Sequence, residues 1–293
     1  MKLAKTLTYG LAAGMFASAV AFTAQAEVVA YSTLQITNFQ ITAGGEQIVP
    51  GEANIVITNA TSSRASFDGG AGDAASHATD TRMSCVGACG GIAENDFSRI
   101  SAGDNTLHFA RGDALLAGSL ITPGGANAYS VAETQLTKND GSNAGGEVST
   151  SSFFWTIEFD GTLGDITLEF DALGELLVAS DIVKGSAQAD FDWTLQLRDV
   201  TGGGNGTFVT EFSPDNLNES VAINGVDSAS YSVDDHFIIN VSGLLADRRY
   251  RVIISHNSDV EAYFEAPEPA SMAALGLGLL ALGGMAARRR KAA

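Results

Sequence analysis

Basic residues are scarce. Of 293 residues 16 are Lys or Arg against 34 Asp or Glu, and six of those 16 (Lys2, Lys5, Arg288, Arg289, Arg290, Lys291) lie in the two end segments. With Glu268 the one acidic residue outside it, the stretch 27–266 carries 10 basic against 33 acidic residues, a formal charge of −23. A field of that sign disfavours nucleic acid and anionic lipid as partners, attracts divalent cations and cationic surfaces, and serves solubility at a cell surface. Catalytic signatures are missing as well. There is no G-x-S-x-G elbow, no H-E-x-x-H and no P-loop, and the four histidines His77, His108, His236 and His256 are scattered. The expectation is a protein that is not an enzyme, although a Ser/His/Asp set that meets only in space leaves no trace in spacing. Cysteines number two, and the C-x-x-C-H haem signature is absent.

The two ends hold what the middle lacks. Lys2 and Lys5 form a basic n-region, Leu7 to Phe22 supply a mostly apolar run, and Ala24-Gln25-Ala26 fits the small-x-small rule of signal peptidase. Residues 1–26 therefore read as a signal peptide, with a mature chain beginning near Glu27. At the other end stands Pro267-Glu268-Pro269, then an uncharged run from Ala270 to Ala287, then Arg288-Arg289-Arg290-Lys291. Eighteen residues at 1.5 Å each give about 27 Å, a marginal single membrane span. The cations behind it favour the cytoplasmic side. The two prolines hold the approach extended, because each fixes φ and biases its predecessor away from the α region.

This order of Pro-Glu-Pro, a Leu/Gly/Ala-rich span and an Arg cluster resembles the PEP-CTERM sorting signal of Gram-negative bacteria. The resemblance covers about a tenth of the chain. It implies an exosortase that recognises and processes the tail, transient anchoring in the inner membrane and final residence at the cell surface or outside it. The sorting residues would be Pro267, Glu268, Pro269, Arg288, Arg289 and Arg290. The domain plan is thus 1–26 signal peptide, 27–266 exported body and 267–293 sorting signal.

Within the body, alternation of apolar and polar residues predicts strands. Leu34 and Ile36 share one face of a first strand, and a bulge near Asn38 shifts the face for Phe39 and Ile41. Phe153 to Phe159, Ile166 to Phe170 and Phe191 to Arg198 alternate cleanly, as antiparallel strands with one wet face do. Thr207 to Phe212, His236 to Val241 and Tyr250 to Ser255 follow, separated by Gly and Asn breakers. The expected fold is an all-β, β-sandwich or jelly-roll-like body. Residues 61–151, rich in Gly, Ala, Ser, Asn and Asp, are expected to be dominated by long loops. Val241 to Val252 resembles the leucine-to-tyrosine corner of immunoglobulin-like and fibronectin type III sandwiches, which would make Tyr250 structural; the alternative is a surface tyrosine at a strand start.

Chemistry-bearing residues are few. Cys85 and Cys89 flank Gly87, and an oxidising compartment points to a disulfide within one loop; a metal site shared with His77 and a pair of free thiols are the alternatives. Calcium is the candidate cofactor, because Asp68 and Asp73 in one loop and Asn139 and Asp140 in another place oxygen ligands beside flexible glycines. Arg111-Gly112-Asp113 reads as a turn or strand end. Fold and address together point to a structural or adhesive protein of envelope or biofilm, with extracellular polysaccharide among its candidate partners. The alternative is a carbohydrate-binding or carbohydrate-cleaving sandwich. It requires Trp155 or Trp193 exposed near paired carboxylates, whereas the structural role places both indoles in the core. Ice binding needs a flat threonine array, which Thr33, Thr37 and Thr42 do not make.

Overall fold

The computed structural model describes residues 27–48, 54–67, 72–102, 108–122, 124–137 and 145–264. The first seven strands in chain order are β1 (Glu27–Ala43), β2 (Glu46–Gln47), β3 (Val56–Phe67), β4 (Asp73–His77), β5 (Ser84–Gly87), β6 (Phe109–Gly118) and β7 (Ala126–Thr137). They are followed by β8 (Gly145–Asp160), β9 (Ile166–Ser180), β10 (Gly185–Asp199), β11 (Thr207–Phe212), β12 (Asn218–Asn224), β13 (Asp227–Val241) and β14 (Arg249–Phe264). No α-helix occurs among the described residues. Every pairing is antiparallel, and the strands form two sheets. The first runs β13-β9-β1-β7-β6-β5 with β2 beside β1; the second runs β11-β10-β14-β8-β3-β4 with β12 beside β10. The two are stacked, since one apolar cluster draws residues from both.

The alternation seen in sequence becomes the inside and outside of this sandwich-like stack. Phe153, Trp155, Ile157 and Phe159 of β8 face inward, as do Ala189, Phe191, Trp193, Leu195 and Leu197 of β10. Aromatic pairs bridge the sheets: Phe39 of β1 meets Trp155 edge-on at 5.5 Å, and Phe170 of β9 lies 5.0 Å from Trp193. Such pairs contribute about 0.5–1.5 kcal/mol beyond their buried area. The bulge in β1 falls between Ile36 and Phe39, with Asn38 at φ 56°; it turns Phe39 inward where strict alternation from Ile36 would have turned it out.

Long loops do not dominate residues 61–151, which hold most of β3 together with β4 to β7 and the start of β8. The reason lies in the shape of the core. Opposite the aromatic half, Ala110, Ala114 and Ala132 of one sheet face Ser63, Ala65 and Ser151 of the other, all buried. Small side chains let Cα atoms of β6 come within 8 Å of those of β3 and β8, closer than the roughly 10 Å of ordinary stacked sheets. Strands that build this thin half carry few β-branched or aromatic residues, so their composition resembles a loop. Hydroxyls stitch it instead: Ser63 Oγ meets Ser84 Oγ at 2.8 Å, and Ser32 Oγ donates to the Asp190 carbonyl at 2.8 Å.

Tyr250 is buried at the start of β14, and its hydroxyl accepts the Leu245 N–H at 3.1 Å, which ties down the turn ahead of the strand. The turn packs so tightly that a Cβ at Gly161 would lie 2.1 Å from the Leu245 carbonyl oxygen. Only glycine fits there.

Candidate functional site

The sorting residues Pro267, Glu268, Pro269, Arg288, Arg289 and Arg290 lie outside the described residues, as do residues 1–26, and no helix among the described residues is long and apolar enough to cross a membrane. The structure does fix where the tail leaves the body. β14 is a central strand, paired with β10 over residues 250–264 and with β8 over residues 249–264. Its last residue, Phe264, is 3% exposed and packs in the core opposite Gly185 and Gly145. Only two residues therefore separate a buried core side chain from Pro267, and the three Cα–Cα steps between them span at most about 11 Å.

Cys85 and Cys89 are joined by a disulfide, with an S–S distance of 2.08 Å and Cα atoms 6.1 Å apart. His77 lies in β4, in the opposite sheet from β5. Asp73 is engaged by a different partner from the one calcium chemistry required: Arg82 grips both its oxygens at 2.6 and 2.7 Å and holds its carboxyl below the usual range. Asp73 is thus taken by a guanidinium. Asp68, Asn139 and Asp140 lie outside the described residues, among which no group of three His, Cys, Asp or Glu side chains could hold a metal ion.

The disulfide opens a segment, residues 88–102, that is strapped across the outer face of the first sheet. Arg111 of β6 stands under it, fully buried, paired with the equally buried Glu133 of β7 at 2.9 Å. Arg111 also donates to the carbonyls of Asp96 and Ser98 at 2.7 and 2.5 Å. Glu133 accepts the N–H groups of Ile100 and Ser101, and the Tyr31 hydroxyl donates to the Phe97 carbonyl at 3.0 Å. Burial, with Glu133 and Glu175 adding to it, pushes the Tyr31 phenol up. Asp113 Oδ2 takes the Asn95 N–H at 2.7 Å, and burial lifts its carboxyl to about 6. The Arg111-Gly112-Asp113 tripeptide is therefore sealed within β6, with both charged side chains 0% exposed and unable to meet a receptor. The tripeptide read as a turn or strand end lies inside β6 and is the clamp of the strap. Its sequence signal was parity: Arg111, Asp113 and Leu115 alternate with Ala110, Gly112 and Ala114, which places the charged pair on one face.

Two histidines merit comparison as candidate catalysts. His256 Nε2 lies 2.7 Å from Ser130 Oγ and 2.9 Å from Ser258 Oγ, a spacing that suits a nucleophile and its base. Its Nδ1, however, faces the Asp192 main-chain carbonyl at 2.9 Å instead of a carboxylate, and all three side chains are buried between the sheets. Burial holds the imidazole neutral, down at about 3. With Nδ1–H donating to that carbonyl, Nε2 accepts from the serines. This is a polar stitch with no approach for a substrate. His236 is exposed on β13, and both its nitrogens are engaged by carboxylates, Asp171 at 2.7 Å and Glu169 at 3.2 Å, which leaves neither to activate a hydroxyl. Asn38, at the bulge, fixes the other oxygen of Asp171 at 2.7 Å. The remaining carboxylates of that stretch serve structure: Glu158 binds Arg249 and Arg251, Asp160 accepts from Asn54, and Asp165 takes the Gly243 N–H. Trp155 and Trp193 are 2% and 0% exposed, so neither indole offers a stacking platform.

The geometry thus defines a class: an all-β body of two antiparallel sheets, with a tail leaving from the middle of one of them. Residues 265–291, beginning directly after β14, match the family model described as the PEP-CTERM protein-sorting motif. The match covers the tail alone and supports a PEP-CTERM protein. The motif implies export, a membrane-anchored sorting tail and an exosortase as processing partner. No curated protein and no solved structure matches the chain.

Proposed function

We propose that this protein is an exosortase-processed component of the cell surface or extracellular matrix, with a structural or adhesive role in envelope or biofilm and no enzymatic activity. The motif at 265–291 carries the reading. Support comes from the body: the contacts of His256 with Ser130 and Ser258 are sealed in the core, the exposed His236 is held between carboxylates, and both tryptophans are inside. The nested pairs β8/β14, β9/β13 and β10/β12 alternate between the two sheets, which favours a jelly-roll-like winding for the sandwich. The strap over Arg111 and the disulfide suit a body built to persist outside the cell.

The test is intact mass and membrane fractionation of the full chain in hosts with and without an exosortase. The expected result is loss of the residues beyond about Ala266 only where the enzyme is present, with release from the membrane to surface or medium. A tail that persists in both hosts would make the protein a plain anchored ectodomain and remove the matrix role.

A further inference from the structure

We propose that the corner where β1 begins is a docking slot for the α-ammonium group created when the chain is cut between Ala26 and Glu27, with Asp181 as its counter-charge. The proposal rests on the export reading above.

Three observations meet at this corner. β1 starts at Glu27, directly after the Ala24-Gln25-Ala26 cleavage signal. The Glu27 nitrogen lies 2.5 Å from Asp181 Oδ1, and the Asp181 N–H donates back to the Glu27 carbonyl at 3.1 Å. The position is fixed from both sides, because Glu27 pairs with Thr137 of β7 while Val28 pairs with Ser180 of β9. Glu27 itself is 5% exposed, and burial first, then the Asp181 charge, lifts its carboxyl to about 7. Two carboxyls therefore share a half-closed corner, and the nitrogen between them and the chain is a neutral amide as long as Ala26 remains attached.

Hydrolysis changes that nitrogen. Water adds its hydroxyl to the Ala26 carbonyl carbon and a proton to the Glu27 nitrogen as the C–N bond breaks; the new carboxyl gives up a proton and the new amine takes one. An α-amine ordinarily titrates at about 7.7–8.0, so it is an ammonium at neutral pH. It arises within hydrogen-bond distance of Asp181 and brings a positive charge to a corner that had two carboxyls. Other groups near the corner are Lys184 in the β9–β10 turn, Asp227 opposite Ser180, and His108, whose Nδ1 meets the Thr137 N–H at 3.4 Å. A carboxylate at this range raises an amine's pKa by about one pH unit or more. The added stability is present below the ordinary amine value and is lost as pH rises through the raised one.

The experiment uses the exported full chain. Intact mass first establishes whether it begins at Glu27. The α-amine is then titrated by its pH-dependent acylation, read by mass, in the wild type and in Asp181→Asn. A wild-type amine pKa raised by about one pH unit or more, returning to the ordinary range in Asp181→Asn, is the expected result. Asp181→Asn should also lower the melting temperature at pH 7 in the cut chain and leave it nearly unchanged in a chain blocked by Ala26→Leu. An ordinary pKa in the wild type, or equal melting shifts in cut and uncut chains, overturns the slot; if the variant does not fold, the wild-type titration decides alone. A mass that starts elsewhere also overturns it, while exosortase-dependent loss of the tail in the same spectrum scores the sorting reading separately.

Discussion

His256 and Asp113 are both buried ionisable side chains, and they bend the pH dependence of stability in opposite directions. The imidazole titrates near 3 in the folded state against about 6.5 when free. The unfolded chain therefore takes up a proton that the folded one refuses, and the contribution of His256, complete above pH 6.5, is lost as pH falls toward 3. In His256→Leu the melting temperature at pH 7 should drop, because Ser130 and Ser258 lose a shared acceptor at about 1–3 kcal/mol for buried groups left unpaired. The gap between wild type and variant should narrow from pH 6.5 to pH 4, and a gap that stays constant would mean the imidazole is not held neutral. Asp113 works the other way. Lifted to about 6, it favours folding while protonated and costs stability as pH rises through that value. Asp113→Asn should raise the melting temperature at pH 8 by roughly 2–6 °C, for about 1–2 kcal/mol, and have no effect near pH 4. Melting curves at the two pH values check this, and a rise that is equal at both would remove the buried charge as its cause.

Among the strands, β13 carries the greatest exposure to a wrong partner. It is 15 residues long, it pairs only with β9 among the described residues, and its sequence holds neither lysine nor proline. The other margins are short strands: β5, β4, and β11 with β12 sharing the edge of β10. The guard on β13 is Asp235, which points inward and is held by the Asn216 side chain, an inward charge of the kind that keeps open edges from pairing. Asp235→Val should make the body associate in a concentration-dependent way on size exclusion with light scattering; a variant that stays monomeric at the same concentrations would mean the edge is protected by something else. How legible these elements were from sequence depended on where they sit. β8, β9 and β10 were plain, because their inward positions are Phe, Trp, Ile and Leu against polar neighbours. β6 and β7 were obscure, because the thin half of the core is filled by alanine and serine, and binary patterning fails when the buried residue is as small as a loop residue. The cysteine pair was visible in its spacing. The Arg111–Glu133 clamp was not, since a buried ion pair 22 residues apart in sequence shows only once register brings β6 and β7 together. His256 was overlooked, although its parity with Ile254 and Ser258 along β14 pointed it inward.

At the scale of the whole body, its first and last strands reach the same end. Glu27 of β1 contacts Asp181, and the short 181–184 turn leads to Gly185, which pairs with Phe264. The residues ahead of β1 and the sorting motif behind β14 therefore join the body at one end, and the acidic body of −23 lies beyond it. The central position of β14 has a mechanical side. A chain held in a membrane by its tail is pulled along the axis of its last strand, and that strand is hydrogen-bonded to β8 and β10 along its whole length. The load falls on both ladders in shear, so that many bonds must yield together, whereas an edge strand would peel one bond at a time. While the tail holds the chain, drag on the body is carried by the strongest direction of its sheet, and the tether can be tugged without unravelling what it holds.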